Sequence, residues 1–229
     1  MSRELKEQVC QANLDLVQNG LVLLTWGNVS QIDRQAGIVA IKPSGIAYDD
    51  LTPESIVILD LEGQVVEGQL RPSSDTPTHL ELYRCFDEIE GVCHTHSTYA
   101  TMWAQMCCEI PCLGTTHADY FYGAVPVTEP MHKDEIQTNY ELNTGKVIVR
   151  RFEDIDPVQM PAVLVANHGP FTWGQSAAKA VENATVLEEV AKMAYGTVSA
   201  HSKPKAISQE LLDKHYLRKH GTTAYYGQQ

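Results

Sequence analysis

The sequence predicts an α/β protein in which a mixed sheet is sandwiched by helices. Three observations lead there. Short Val- and Ile-rich segments alternate with helical patterns along the whole chain, they do so without the regular beat of a βαβ array, and 229 residues suffice for one substantial core. No internal repeat or low-complexity tract divides the chain. The one linker-like stretch, 201–206, ends a long helical pattern, so a single domain over 1–229 is expected.

Taken in order, Leu5, Val9, Ala12 and Leu16 recur at helical spacing and stop before the turn signal Asn19-Gly20, which predicts an amphipathic N-terminal helix. Segments 37–41, 56–59 and 64–66, the last after Glu62-Gly63, read as strands. Thr76-Pro77 opens a helix carrying Leu80, Tyr83, Phe86 and Ile89, and the missing N–H of Pro77 does no harm in a first turn. Segment 91–96 reads as a strand, after which Ser97 is placed to cap a helix reaching Met106. A strand over 162–166 runs into the turn Asn167-His168-Gly169-Pro170. An Ala-rich helix then spans Ser176 to about Tyr195, and Ser208 caps a last helix that stops at Gly221.

Composition narrows the function. Seventeen basic against 29 acidic residues give a net charge of −12, which repels nucleic acid phosphates and anionic membranes. No apolar run approaches the ~18 to 20 residues of a membrane span. The charged start MSRELKEQVC lacks the apolar stretch of a signal peptide, so a cytoplasmic protein is expected. The six cysteines (10, 85, 93, 107, 108 and 112) then read as free, mostly buried thiols. Cys107, Cys108 and Cys112 lack the CxxC pairs of a thiolate metal site.

The nine histidines carry more information. His94 and His96, two apart in a strand, stand on one face about 6.5 to 7 Å apart along the backbone and can converge on one metal ion. An isolated HxH is equally an ordinary polar pair at a strand end. His168, ending an apolar strand before Gly169-Pro170, shifts the balance, because three neutral imidazoles leave a divalent cation open at one or more positions and therefore act as a Lewis-acid site. Two turns add anion chemistry. Lys42-Pro43-Ser44-Gly45 and Arg71-Pro72-Ser73-Ser74-Asp75 offer hydroxyls, a glycine N–H and a lysine charge, as a phosphate monoester requires. Either alone is also a solvated turn; the third polar segment, Thr25-Trp26-Gly27-Asn28, favours the site.

These motifs together, with Gly114-Thr115-Thr116-His117-Ala118-Asp119-Tyr120, Lys219-His220-Gly221 and Ala224-Tyr225-Tyr226-Gly227-Gln228, resemble the L-ribulose-5-phosphate 4-epimerases of the class II aldolase and epimerase superfamily, over essentially the whole chain. The resemblance implies a three-layer fold with one zinc ion per subunit, bound by His94, His96 and His168 with Asp75 in or near the coordination sphere. It implies substrate contacts at Gly27, Asn28, Lys42, Ser44, Gly45, Ser73 and Ser74, with Thr115, Glu141 and Arg218 in support, and proton transfer by Asp119 and Tyr226 assisted by His215. It further implies a phosphorylated ketopentose substrate and a cyclic homotetramer with sites between subunits, in which Tyr226 serves the adjoining chain. Aldolases of the superfamily carry a glutamate after the Ser-Ser pair where this chain has Asp75, and that difference favours epimerisation. The remaining alternatives are an aldolase acting on a phosphorylated ketose and a non-catalytic protein stabilised by zinc.

Overall fold

Leu5, Val9, Ala12 and Leu16 are buried along helix α1 (Ser2–Gln18), as their spacing predicts, and Cys10 joins them. Each fully buried aliphatic side chain is worth roughly 1.5 to 3 kcal/mol, whereas the exposed Arg3–Glu7 pair on the same helix contributes little. Packing therefore seats α1. The structure is a computed structural model describing residues 2–201, 203–222 and 224–225.

Seven strands follow: β1 (Asn28–Asp33), β2 (Ile38–Ile41), β3 (Val57–Asp60), β4 (Val65–Glu67), β5 (Gly91–His94), β6 (Ala162–Val165) and β7 (Gly169–Gly174). They form one sheet in the order β4-β3-β2-β1-β5-β7-β6. Every ladder is antiparallel, and among the described residues the parallel component is the single bridge Val127–Leu164. Short connections account for the antiparallel pairs β1–β2, β3–β4 and β6–β7, whereas β1–β5 and β5–β7 pair antiparallel across long intervening stretches of chain.

The remaining helices are α2 (Thr76–Cys85), α3 (Thr98–Gln105), α4 (Thr115–Ala118), α5 (Lys133–Gln137), α6 (Tyr140–Arg151), α7 (Ala177–Ala200) and α8 (Gln209–His220). Strand periodicity sorts the core into two faces. Val29, Ala40, Ile58 and Cys93 pack against α1 and the start of α7, while Ile32, Val39 and Val92 pack against Leu80 and Tyr83 of α2 and Ile148 of α6. The three-layer α/β architecture is as expected.

Several boundaries differ from the sequence reading. Helix α2 stops at Cys85, with Phe86 at its C-cap and Ile89 beyond it, because the Arg34 guanidinium donates to the carbonyls of Tyr83, Phe86 and Ile89 and takes over the helix end. Ser97 does not cap α3. Glu188 of α7 does so instead, accepting the N–H groups of Tyr99 at 2.8 Å and Ala100 at 2.9 Å, where a carboxylate also meets the positive end of the helix dipole. Ser208 caps α8 as predicted; Ser176, expected only as the start of α7, caps it too, and α7 runs on to Ala200 rather than ending near Tyr195. All six cysteines are free, but only Cys10, Cys93 and Cys112 are buried. Among the described residues no helix is long and apolar enough to cross a membrane.

A three-histidine candidate metal centre and its cavity

The histidines converge because three strands end together. β5 ends at His94, which pairs with Asn28 of β1 on one side and Phe171 of β7 on the other. The Phe171 ring stacks on the His94 imidazole at 4.1 Å, and the His94 Nδ1–H donates to the Pro170 carbonyl at 2.9 Å. That bond leaves the Nε2 lone pair facing outward, the tautomer a metal ligand needs. His96 lies past the strand end, yet its ring centroid is 4.9 Å from that of His94. His168 sits in the β6–β7 turn, 4.8 Å from His94 and 5.1 Å from His96. Asn167 before it adopts φ +61°, and Gly169 after it is needed for space, since a Cβ there would lie 2.8 Å from the Thr95 carbonyl oxygen.

One ligating atom from each ring lies within 4.8 Å of the others, and the two Nε2 atoms of His94 and His96 are 3.1 Å apart. Burial lowers the basicity of all three rings, with His168 down to about 3, so they are neutral donors at physiological pH. Three neutral imidazoles open to a cavity fit a divalent cation with a free coordination position.

Asp75 completes the floor. It occupies the N-cap position of α2, but its side chain turns to Asn28, whose Nδ2 donates to Oδ2 at 2.6 Å. Burial by itself would raise the Asp75 pKa; the imidazoles of His94 and His79 and the Asn28 amide outweigh it and hold the carboxylate below its usual range.

The two serine turns lie side by side. The Ser44 N–H donates to the Arg71 carbonyl at 2.9 Å, and the Ser73 N–H to that of Lys42 at 3.1 Å. Gly45 adopts φ +71°, a backbone state that glycine enters freely. Lys42 is 2% exposed. Its ammonium donates to the Ile46 carbonyl at 3.0 Å and lies over the Tyr48 ring, and burial lowers its pKa. The Tyr48 hydroxyl in turn donates to the carbonyls of Trp26 and Gly27. Lys42 thus braces the 43–46 loop from beneath. The resulting cavity, about 540 Å³, is lined by Gly27, Asn28, Lys42, Ser44, Gly45, Ser73, Ser74, Asp75, His94, His96 and His168, eleven of the residues singled out from sequence, together with Thr25, Trp26 and Pro43.

The other sequence-derived residues lie elsewhere. Asp119, at the C-cap of α4, is clasped by α8: the Arg218 guanidinium donates to both carboxylate oxygens, at 2.8 to 3.1 Å, and His215 Nδ1 lies 3.0 Å from Oδ1. Burial pushes the Asp119 pKa up, but Arg218, His215 and Lys219 outweigh it and hold it low. Thr115 opens α4 and does not line the cavity of the three histidines. Glu141, in α6, lines a separate cavity behind Ser73 and Ser74, and its carbonyl accepts the Thr78 hydroxyl. Tyr226 lies outside the described residues. The sequence reading missed Tyr140, whose hydroxyl approaches His168 Nδ1 at 3.5 Å, and Tyr48; neither lies in a motif that signals it.

The family model for the class II aldolase and adducin N-terminal domain matches residues 7–195. The chain belongs to this family. Among solved structures, this class II aldolase family member is similar to an L-fuculose 1-phosphate aldolase, with 29% identity and a TM-score of 0.77 over 93% of this chain and 94% of the other. YgbL from Klebsiella pneumoniae shares 22% identity at a TM-score of 0.74, covering 93% of this chain and 98% of YgbL. L-fuculose-1-phosphate aldolase from Thermus thermophilus shares 24% at 0.69, covering 90% of this chain and all of the other, 100%. The last two likenesses speak to the fold.

Proposed function

We propose that this class II aldolase family member is a zinc-dependent L-ribulose-5-phosphate 4-epimerase, forming D-xylulose 5-phosphate by breaking and remaking the C3–C4 bond. The observation that carries this reading is the state of Asp75. A carboxylate tied to Asn28 and held below its usual pKa is a poor proton donor at neutral pH, so the residue at the position of the aldolase glutamate serves to hold charge beside the three histidines.

A hydroxyl-bearing C4 has no acidic proton to abstract, and its inversion proceeds by retro-aldol cleavage followed by aldol addition to the other face. His94, His96 and His168 would hold a divalent ion, which would supply Lewis-acid stabilisation of the negative charge that cleavage develops. Ser44, Gly45, Ser73 and Ser74 anchor the phosphate of the departing fragment, with the loop held in shape by Lys42, while its aldehyde turns over. The C4 oxygen gives up a proton on one face and regains it on the other, which requires two acid/base groups. Asp119 and Tyr226 take these roles from a neighbouring copy of the chain in a homotetramer. The support is that Asp119, His215 and Arg218 form a pre-assembled hydrogen-bonded cluster outside the cavity of their own chain. The six free cysteines suit a reducing, cytoplasmic setting.

Incubation of the zinc-loaded protein with L-ribulose 5-phosphate is expected to yield D-xylulose 5-phosphate in a coupled assay; no C4 epimer would refute the reading. The similarity to L-fuculose 1-phosphate aldolase favours a second reading, an aldolase that releases its fragments, which accumulation of free aldehyde would reveal.

A further inference from the structure

Beneath the metal centre, two elements mesh in register. Asn28 and Ser30 are two apart on one face of β1, and Asp75 and His79 are four apart at the start of α2. Asn28 donates to Asp75 at 2.6 Å, and Ser30 Oγ lies 2.7 Å from His79 Nδ1. One turn on, the Tyr83 hydroxyl lies 2.7 Å from the same Ser30 oxygen. Ser30 and His79 are fully buried and Tyr83 nearly so.

Each hydroxyl donates once. We assign Tyr83 as the donor to Ser30 and Ser30 as the donor to His79 Nδ1, which puts the ring proton of the neutral imidazole on Nε2. Nε2 is buried and has no hydrogen-bond partner, and the Asp75 carboxylate is the negative charge acting on the ring. The ring also meets Phe171 edge-on at 6.2 Å, the same Phe171 that stacks on His94. An unsatisfied buried donor costs roughly 1 to 3 kcal/mol, so packing alone would be better served here by an apolar side chain.

We propose that His79 is a positioning residue of the metal centre: its bond with Ser30 holds α2 in register on β1, and its Nε2–H steers the Asp75 carboxylate toward the side on which the three ligand histidines converge. If, as read above, those histidines hold a metal, His79 sets metal affinity without touching the metal.

The test strips the metal and titrates with Co²⁺, whose visible absorption reports coordination. His79→Asn keeps a group facing Ser30 but removes the donor; His79→Gln keeps a donor near the Nε2 position. His79→Asn is expected to weaken Co²⁺ binding about 10- to 100-fold, and His79→Gln by less than about threefold, with similar melting temperatures for the two metal-free variants. In an Asp75→Asn background, His79→Asn is expected to add little, because the two act through one carboxylate. Unchanged affinity in His79→Asn, or an equal loss in both backgrounds, would overturn the assignment. Should His79→Asn not fold, Tyr83→Phe interrupts the same donor chain from further away and is expected to weaken binding a few-fold; no change would count against His79. The titration contains no sugar, so it stands or falls apart from the epimerase assay. Wild-type protein that takes up no Co²⁺ would overturn the metal reading along with it.

Discussion

The cavity floor and the α4–α8 corner each hold a carboxylate in a partly buried setting, and they hold it in opposite ways. Asp75 is held by a neutral amide and lies among imidazoles that are themselves neutral, so its charge is left available to a cation. Asp119 is clasped by a permanent cation, Arg218, with His215 beside it, so its charge is already offset. The first arrangement concentrates negative potential where a metal would sit. The second fixes the orientation of the carboxylate proposed above to accept a proton. Under the proposed function the chain separates gripping from proton transfer, and each region needs the other.

Substitutions that strike one region and spare the other sharpen this contrast. The largest effect is expected from His168→Asn, which should lose bound metal and lower turnover about 10³-fold or more, given that Lewis-acid stabilisation is worth several kcal/mol. Metal analysis alongside kinetics checks it; retention of both would remove His168 from the ligand set. Asp119→Asn should lower kcat roughly 10²- to 10⁴-fold with metal content unchanged. Loss of metal in that variant would instead merge the two regions. Mixing the His168→Asn and Asp119→Asn proteins after dissociation and reassembly should recover activity if the regions meet between copies, and no recovery would place them in one chain.

A smaller effect is expected at Lys42. Lys42→Met removes a charged hydrogen bond to the Ile46 carbonyl, worth roughly 1.5 to 3 kcal/mol, so KM for the phosphorylated sugar should rise about 10- to 100-fold, with kcat changing less. An unchanged KM would exclude the 43–46 loop from anion binding. Smallest is a pH effect confined to α4. Burial pushes His117 down to about 4, and its Nε2–H donates to the Gly123 carbonyl at 2.7 Å. Between its ordinary value of 6.5 and about 4, the unfolded chain binds a proton that the folded one does not. Stability is therefore lost as pH falls through that window, by roughly 1.4 kcal/mol per pH unit at most. Urea midpoints at pH 7 and pH 5 should show this slope in the wild type and a shallower one in His117→Gln.

Legibility followed local chemistry. The stripe of α1, the Pro77 opening of α2 and the serine cap of α8 were readable because one face, one ring or one hydroxyl decides each. β1, β7 and α6 were not anticipated. β1 reads Asn-Val-Ser-Gln-Ile-Asp, and its polar Asn28 and Ser30 point inward because α2 supplies Asp75, His79 and Tyr83 to meet them. β7 begins Gly-Pro, where Gly169 makes room for the Thr95 carbonyl. α6 contains Gly145, and a Cβ there would lie 2.7 Å from that of Glu81 on α2. In each case a residue unfavourable to the local element is explained by what lies across from it.

The kinds of residue suited to binding a metal and an anion, the turns that carry them and the family they belong to were determined by the sequence itself, because these depend on side-chain type and short spacing. The convergence of His168 with His94 and His96, the capture of α3 by Glu188, the bracing role of Lys42 and the placing of Asp119 outside the cavity were decided only by the tertiary fold. Each needs partners far apart in the chain, and their meeting is set by strand pairing and packing that no local pattern encodes.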